Sequence, residues 1–221
     1  FYSPELGQIE EDTIVKAPGA GVFSAGHFQN GMGLGYNTKL IRMEQLPKTY
    51  QDLLDPKWKG KIALNASNLG VNWLGVMLET QGEDFVRRMA RQDFVLHNVV
   101  SMGILNMIAN GEYLLSPTIA YAHVFENKKK GAPVGWQPLE PVHISLGQIS
   151  LAKYSASPHA ALLYLDFNLS KETGELYKAI GYDSPRKDIS GEMTYKKYYG
   201  PFSTKQFTKW NQLFNQLFLK K

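Results

Sequence analysis

Between Asn37 and Gly131 short apolar runs alternate with stretches of helical period, and this alternation is what most narrows the fold. Lys61-Ile-Ala-Leu64, Phe94-Val-Leu96 and Tyr113-Leu-Leu-Ser-Pro-Thr-Ile119 read as strands. A helix follows each. Leu69, Trp73, Leu74, Met77 and Leu78 recur at helical spacing after the first, and Ile104, Leu105, Met107 and Ile108 after the second. Tyr121–Lys130 follows the third, and a further helix covers 83–91. Gly82, Asn110-Gly111 and Gly131 supply the stops. The pattern predicts βα units around a parallel or mixed sheet. Pro117 lies inside the third run, which predicts that this strand sits at an edge or ends early, since proline offers no N–H to a ladder.

The flanks are less regular. Residues 1–20 read as irregular, with Pro4, Gly7, Pro18 and Gly19 as breakers, and strand pieces follow at 21–26 and 34–37. Val134–Gln137 and Val142–Ala152 read as extended. Ser157-Pro158 opens a helix running to Leu169 that is apolar on most sides, which predicts deep packing. Another helix covers 172–180. A last one starts near Ser203, where Phe207, Trp210, Leu213, Phe214, Leu217 and Phe218 form a stripe expected to dock on the chain's own core.

Several function classes lose support on composition. A chain of 221 residues with 43% hydrophobic content can bury roughly 70–75% of its unfolded surface. No apolar run approaches the ~20 residues of a membrane helix. The absence of cysteine excludes disulfides, thiolate metal sites and cysteine catalysis. Net charge is +4, but the densest basic cluster, Lys128-Lys129-Lys130, closes a helix, where cations complement the dipole; nucleic acid is not expected as a partner. Gly31, Gly33 and Gly35 lack the following Lys-Ser/Thr of a phosphate loop and precede a strand, so close backbone packing is their expected role. No G-x-S-x-G elbow or H-E-x-x-H helix is present, and no enzymatic activity is expected.

A binding function needs polar groups that converge. In open α/β sheets they gather beyond the carboxyl ends of strands, where helix N-termini point. Ser67 and Asn68, with the amides of Leu69 and Gly70, occupy one such corner; Ser101 occupies a second and Tyr121 a third. Each has a plainer reading. The serines and Asn68 serve equally as helix caps worth ~1 kcal/mol, and Tyr121 as a half-buried aromatic. Arg186 suits either a cleft or the surface.

The stretch Leu46-Pro-Lys-Thr-Tyr-Gln-Asp-Leu-Leu-Asp-Pro-Lys-Trp-Lys-Gly-Lys-Ile-Ala-Leu64, preceded by Gly35-Tyr36-Asn37-Thr38-Lys39-Leu40, resembles the iron-type solute-binding proteins of ABC importers. So does the later text from Pro158-His159-Ala160-Ala161 through Asp166-Phe167 to Leu169-Ser170-Lys171-Glu172. The resemblance runs from Tyr2-Ser3-Pro4 to about Arg186. It implies an α/β, type 2 periplasmic-binding fold, with two lobes built on mixed sheets that close on a ligand. Residues 37–132 would form lobe 2, and 1–36 with 133–221 the remainder of lobe 1. In the family a sizeable N-terminal portion precedes the residues matching Tyr2-Ser3-Pro4, so the first lobe is expected to be incomplete. Apolar faces at Leu162–Leu169 and Phe207–Phe218 would then lie uncovered, favouring self-association.

The resemblance also implies roles. In the family the first corner binds an anion, the second supplies a polar side chain, and the third presents a tyrosine pair to ferric iron. Ser67, Asn68, Ser101 and Tyr121 match those positions, while Ala122 replaces the second tyrosine and His123 follows it. One phenolate is a poor start for a hard trivalent ion. The expected ligand is therefore a small anion or a metal–anion complex, with ferric iron on Tyr121 as the narrower alternative and no further cofactor. The expected partner is an ABC permease and the expected location periplasmic or otherwise extracytoplasmic, with no signal segment expected within the residues given. The same fold also serves as a ligand-sensing effector domain, the alternative reading.

Overall fold

Helices stop where glycine lets the backbone turn left-handed. Gly82 (φ 86°) ends α1, Asn68–Gln81, and Gly111 (φ 83°) follows α3, Ser101–Ala109. Between them lies α2, Glu83–Met89. The computed structural model describes residues 1–17, 19, 21–191, 194–201 and 203–219. Its contacts divide the chain into two units, Phe1–Asn30 with Ser145–Thr194, and Gly31–Ile144 with Tyr195–Lys221. Pro18, one of the expected breakers, lies outside the described residues.

The second unit holds the alternating segment. Strand β3, Ala63–Asn65, pairs in parallel with β4, Val95–His97, and a parallel bridge from Ile62 to Leu115 joins it to β5, Leu115–Ala120. These three strands therefore run the same way. On its other side β5 pairs antiparallel with β2, Gly21–Asn37, whose second half also pairs with β6, Val134–Gln137. Strand β5 is thus interior and wholly buried, not the edge expected from Pro117. The ladder shifts register between Gly33 and Gly35, opposite the proline, and that irregularity absorbs the missing donor. The stretch after Tyr50 forms two 3₁₀ turns, Gln51–Leu54 and Pro56–Trp58. Thr49 and Asp52 cap each other, with Thr49 N–H donating to the Asp52 carboxylate at 3.0 Å and Asp52 N–H to the Thr49 hydroxyl at 3.3 Å.

Helix α7, Thr204–Phe214, continues into a π-helical turn, Asn215–Leu219, and packs on α1. Trp210, Phe214 and Phe218 are buried in the large core of this unit, and Trp210 Nε1 donates to Glu79 at 3.1 Å. Gly75 makes the approach possible, since a Cβ there would collide with the Trp210 ring. The Phe207–Phe218 stripe is therefore covered, and the final segment belongs with the second unit, not with the lobe 1 remainder to which 133–221 was assigned. The boundary expected at 37 falls at 31 and that expected at 132 falls at 144, because β6 and the second half of β2 are part of this unit's sheet.

In the first unit β1, Ile14–Ala17, pairs antiparallel with the start of β2, and 3₁₀ turns at Pro4–Gln8 and Glu11–Thr13 replace the irregular run. Strand β7, Val142–Ser150, starts in the second unit, where it pairs in parallel with β8, Lys197–Tyr198. Helices α5, Pro158–Leu169, and α6, Lys171–Ala179, pack on each other. A small core joins Ile9, Ala25, Leu165 and Leu169. Arg186 is only 5% exposed and is the polar centre of this unit. It donates to Glu5 at 2.6 Å, to Asp188 at 2.8 Å and to the Leu169 carbonyl at 2.5 Å. Neither the cleft nor the surface role foreseen for it survives. Helix α5 is not deeply packed: Leu165, Asn168 and Leu169 are buried, whereas Leu163 is 73% and Tyr164 66% exposed.

Candidate functional site

Because β3, β4 and β5 are parallel, Asn65, His97 and Ala120 stand at one end of them, and α1, α3 and α4 (Tyr121–Lys129) all start there. Asn65 ties the corners together. Its side-chain amide donates to the Val99 carbonyl at 2.6 Å, and its side-chain oxygen accepts from the Thr118 hydroxyl at 2.6 Å. Ala66 N–H donates to the His97 carbonyl at 2.9 Å. Gly70 lets α1 sit down on this end, since a Cβ there would strike the Asn65 carbonyl.

Ser67 caps α1, its hydroxyl accepting the Leu69 N–H at 3.4 Å, and is half-buried beside an exposed Asn68. Ser101 differs from expectation. It is the first helical residue of α3 and not its cap, a place taken by Val100. Its hydroxyl accepts the Ala120 N–H at 3.0 Å and lies 3.2 Å from His123 Nδ1, and the residue is 2% exposed. Burial holds the His123 pKa below the usual histidine value, against the opposing pull of Glu126. A neutral imidazole then accepts at Nδ1 while Ser101 donates.

Tyr121 opens α4 half-buried, its ring edge-on to Trp136 with centroids 5.4 Å apart and 6.0 Å from that of Phe125. Trp136 is held by its own Nε1–H, which donates to the Ile119 carbonyl at 2.9 Å. Its ring lies against Gly33, where a Cβ would overlap it. Ala122, at the expected place of a second tyrosine, is buried. Among the described residues no group of three or more His, Cys, Asp or Glu side chains is placed to hold a metal ion. A tyrosine-centred site would draw on phenolate oxygen instead.

The structure thus puts the three expected corners of the second unit at one end of one set of strands. Asn65 and Thr118, which fasten them, were not singled out from sequence; the only signal was a polar residue closing an apolar strand. Cavities in this unit of about 410 and 480 Å³ lie elsewhere, around Trp58.

Helices flanking parallel strands, with polar corners at the carboxyl ends, make an α/β architecture of the kind that gathers ligands at one rim. The sequence matches the bacterial extracellular solute-binding protein family over residues 5–211, and the chain belongs to that family. It is a family of transport binding proteins and not an enzyme class. An uncharacterised protein of Haemophilus influenzae is 28% identical over 193 residues, 80% of this chain; the chain spans about half (54%) of that relative's length. Iron-bound HitA from Pseudomonas aeruginosa superposes with a TM-score of 0.77 at 18% identity, covering 98% of this chain and 75% of that one. AfuA from Actinobacillus pleuropneumoniae, solved with exogenous fructose-6-phosphate, gives 0.76 at 19% identity, covering 100% and 76%. The fold is that of type 2 periplasmic-binding proteins.

Proposed function

We propose that this chain captures a small anionic solute, or a metal–anion complex, at the strand-to-helix rim of its second unit and delivers it to an ABC permease outside the cytoplasm. The observation carrying this reading is the stitching of three corners by Asn65 and Ser101, which sets three helix N-termini around one end of the strands. Each N-terminus favours an anion by ~0.3–1 kcal/mol, or about 2 when partly buried. That is well short of the ~8 kcal/mol of micromolar binding, so further contacts must supply the rest. Ser67 and Asn68 meet the anion, with the Leu69 amide behind them. Tyr121 lines the rim as a phenol, and Ser101 acts as a positioning residue, its hydroxyl already spanning Ala120 and His123. Bare ferric iron is the less favoured cargo, because Ala122 brings no second phenolate and His123 Nδ1 is engaged.

Native mass spectrometry and calorimetry with inorganic phosphate, fructose-6-phosphate and ferric citrate test the reading. Binding of a phosphorylated or carboxylated solute that weakens in Ser67→Ala is expected. A ferric adduct without a synergistic anion, lost in Tyr121→Phe, would replace it with iron. No binding of any probe would overturn the reading.

A further inference from the structure

We propose that Val100 is a specificity-determining residue of the rim, and that with Tyr121 it selects anions carried on an apolar or aromatic body, the class of aryl phosphates and aryl carboxylates. This inference rests on the rim reading and concerns the part of the solute beyond its charge. Val100 breaks a local rule. It stands at the N-cap of α3, where Ser, Thr, Asp or Asn would satisfy a free amide, and its side chain makes no capping bond. That side chain is 70% exposed, with Val99 exposed beside it. The position forgoes a cap and leaves apolar surface in water, and neither stabilises the fold. A local rule broken without structural return is the mark of a functional position.

The exposed pair is clamped on both sides. The Val99 carbonyl accepts the Asn65 side-chain amide at 2.6 Å, and the Ser101 hydroxyl, next along the chain, accepts the Ala120 N–H at 3.0 Å. The Val99 side chain lies over the first turn of α3, where a Cβ on Gly103 would come within 3.1 Å of it. An apolar surface already held in place loses little further entropy when a ligand covers it. Tyr121 follows Ala120 directly, so Val100 and Tyr121 are each one residue, about 3.8 Å along the chain, from the bonded Ser101–Ala120 pair. The half-buried Tyr121 ring leads on to Trp136, edge-on at 5.4 Å between centroids. Polar groups near these rings are committed. Trp136 Nε1 donates to the Ile119 carbonyl, and the Ser101 hydroxyl spans Ala120 and His123. A hydroxyl-rich body would give up water there for few partners, whereas an apolar body gives up nothing.

Calorimetry with phenyl phosphate, inorganic phosphate and fructose-6-phosphate tests this. Phenyl phosphate should bind about tenfold more tightly than either of the others. Val100→Ser should bring that ratio down to about twofold or less, and should also raise the urea midpoint, since serine caps α3. Val100→Ile should keep the ratio. Inorganic phosphate or fructose-6-phosphate binding as tightly as phenyl phosphate would overturn the proposal and leave the rim reading standing. A ratio that survives intact in Val100→Ser would overturn it too, by placing the preference on another surface. Failure of all three probes to bind would remove the rim reading and this inference with it.

Discussion

The Ser101 hydroxyl accepts the backbone N–H of Ala120 at 3.0 Å, so the first residue of α3 is fastened to the last residue of β5. Two helix starts are thereby held at fixed spacing by one buried oxygen. A serine at a helix start usually faces its own helix's amides; here the contact is tertiary.

Ser101→Ala leaves the buried Ala120 N–H without its acceptor. A loss of about 1–3 kcal/mol is expected, read as a lowered midpoint in urea with an unchanged m-value. A loss under ~0.5 kcal/mol would mean that water or another group takes over the amide.

Ser67→Ala removes a longer, half-exposed capping bond, and its stability cost should be nearer ~0.5–1 kcal/mol. Under the proposed function its effect on anion affinity exceeds that of Ser101→Ala relative to stability. Calorimetry with a bound solute, beside urea melts of both variants, separates capping from binding.

His143 is buried in the second unit with Nε2 3.1 Å from the Gly200 carbonyl, and burial pushes its pKa down to about 4. In the unfolded chain it titrates near the ordinary value of ~6.5. Between those values the unfolded state binds the extra proton, so stability rises with pH across that window and is lost as pH falls from ~6.5 toward 4. The histidine accounts for roughly 3 kcal/mol of that loss. His27 and His123 are lowered by burial as well and act in the same direction. His143→Gln, which keeps a donor, should flatten this part of the stability–pH curve, and an unchanged slope would assign the acid sensitivity elsewhere.

Arg186→Met strands Glu5, Asp188 and the Leu169 carbonyl and should cost about 3–5 kcal/mol. Arg186→Lys should recover little, since one ammonium cannot span three acceptors held by a planar fork. The Arg186 guanidinium also keeps the Asp188 carboxyl below its usual range. That contribution is present above the ordinary carboxylate pKa and is lost as pH falls through the lowered value. Urea melts at neutral pH and near pH ~3 should show the wild type losing this advantage over the variant.

Gly75→Ala puts a methyl group into the Trp210 ring across the α1–α7 contact. The added volume has no flexible neighbour to displace and should cost about 1–3 kcal/mol. Altered Trp210 fluorescence in the folded state, together with a lower melting temperature, is the expected signature.

The alternating segment was legible because its strands are short and apolar and its helices end at Gly82, Gly111 and Gly131. Pro117 misled because a shift in a partner strand's register is invisible along the strand that needs it. Helix α7 misled differently. Its stripe announced burial, but the glycines at 70 and 75 that select α1 as its host say nothing about their partner until the two surfaces meet. At the rim, the residue types were visible and the fastening was not, since Asn65, Val99 and Thr118 are joined across strands and only folding brings them together.

The Glu5–Arg186 ion pair joins residues 181 positions apart, and α7 arrives later still to cover α1. A nascent chain leaving the ribosome can therefore close the first unit only once Arg186 has emerged, and the second only once α7 has. Before then the Trp210-sized recess on α1 and the uncompensated Glu5 carboxylate remain open to holdase chaperones. Premature termination anywhere before α7 would release a product for proteolysis, and not a smaller working protein.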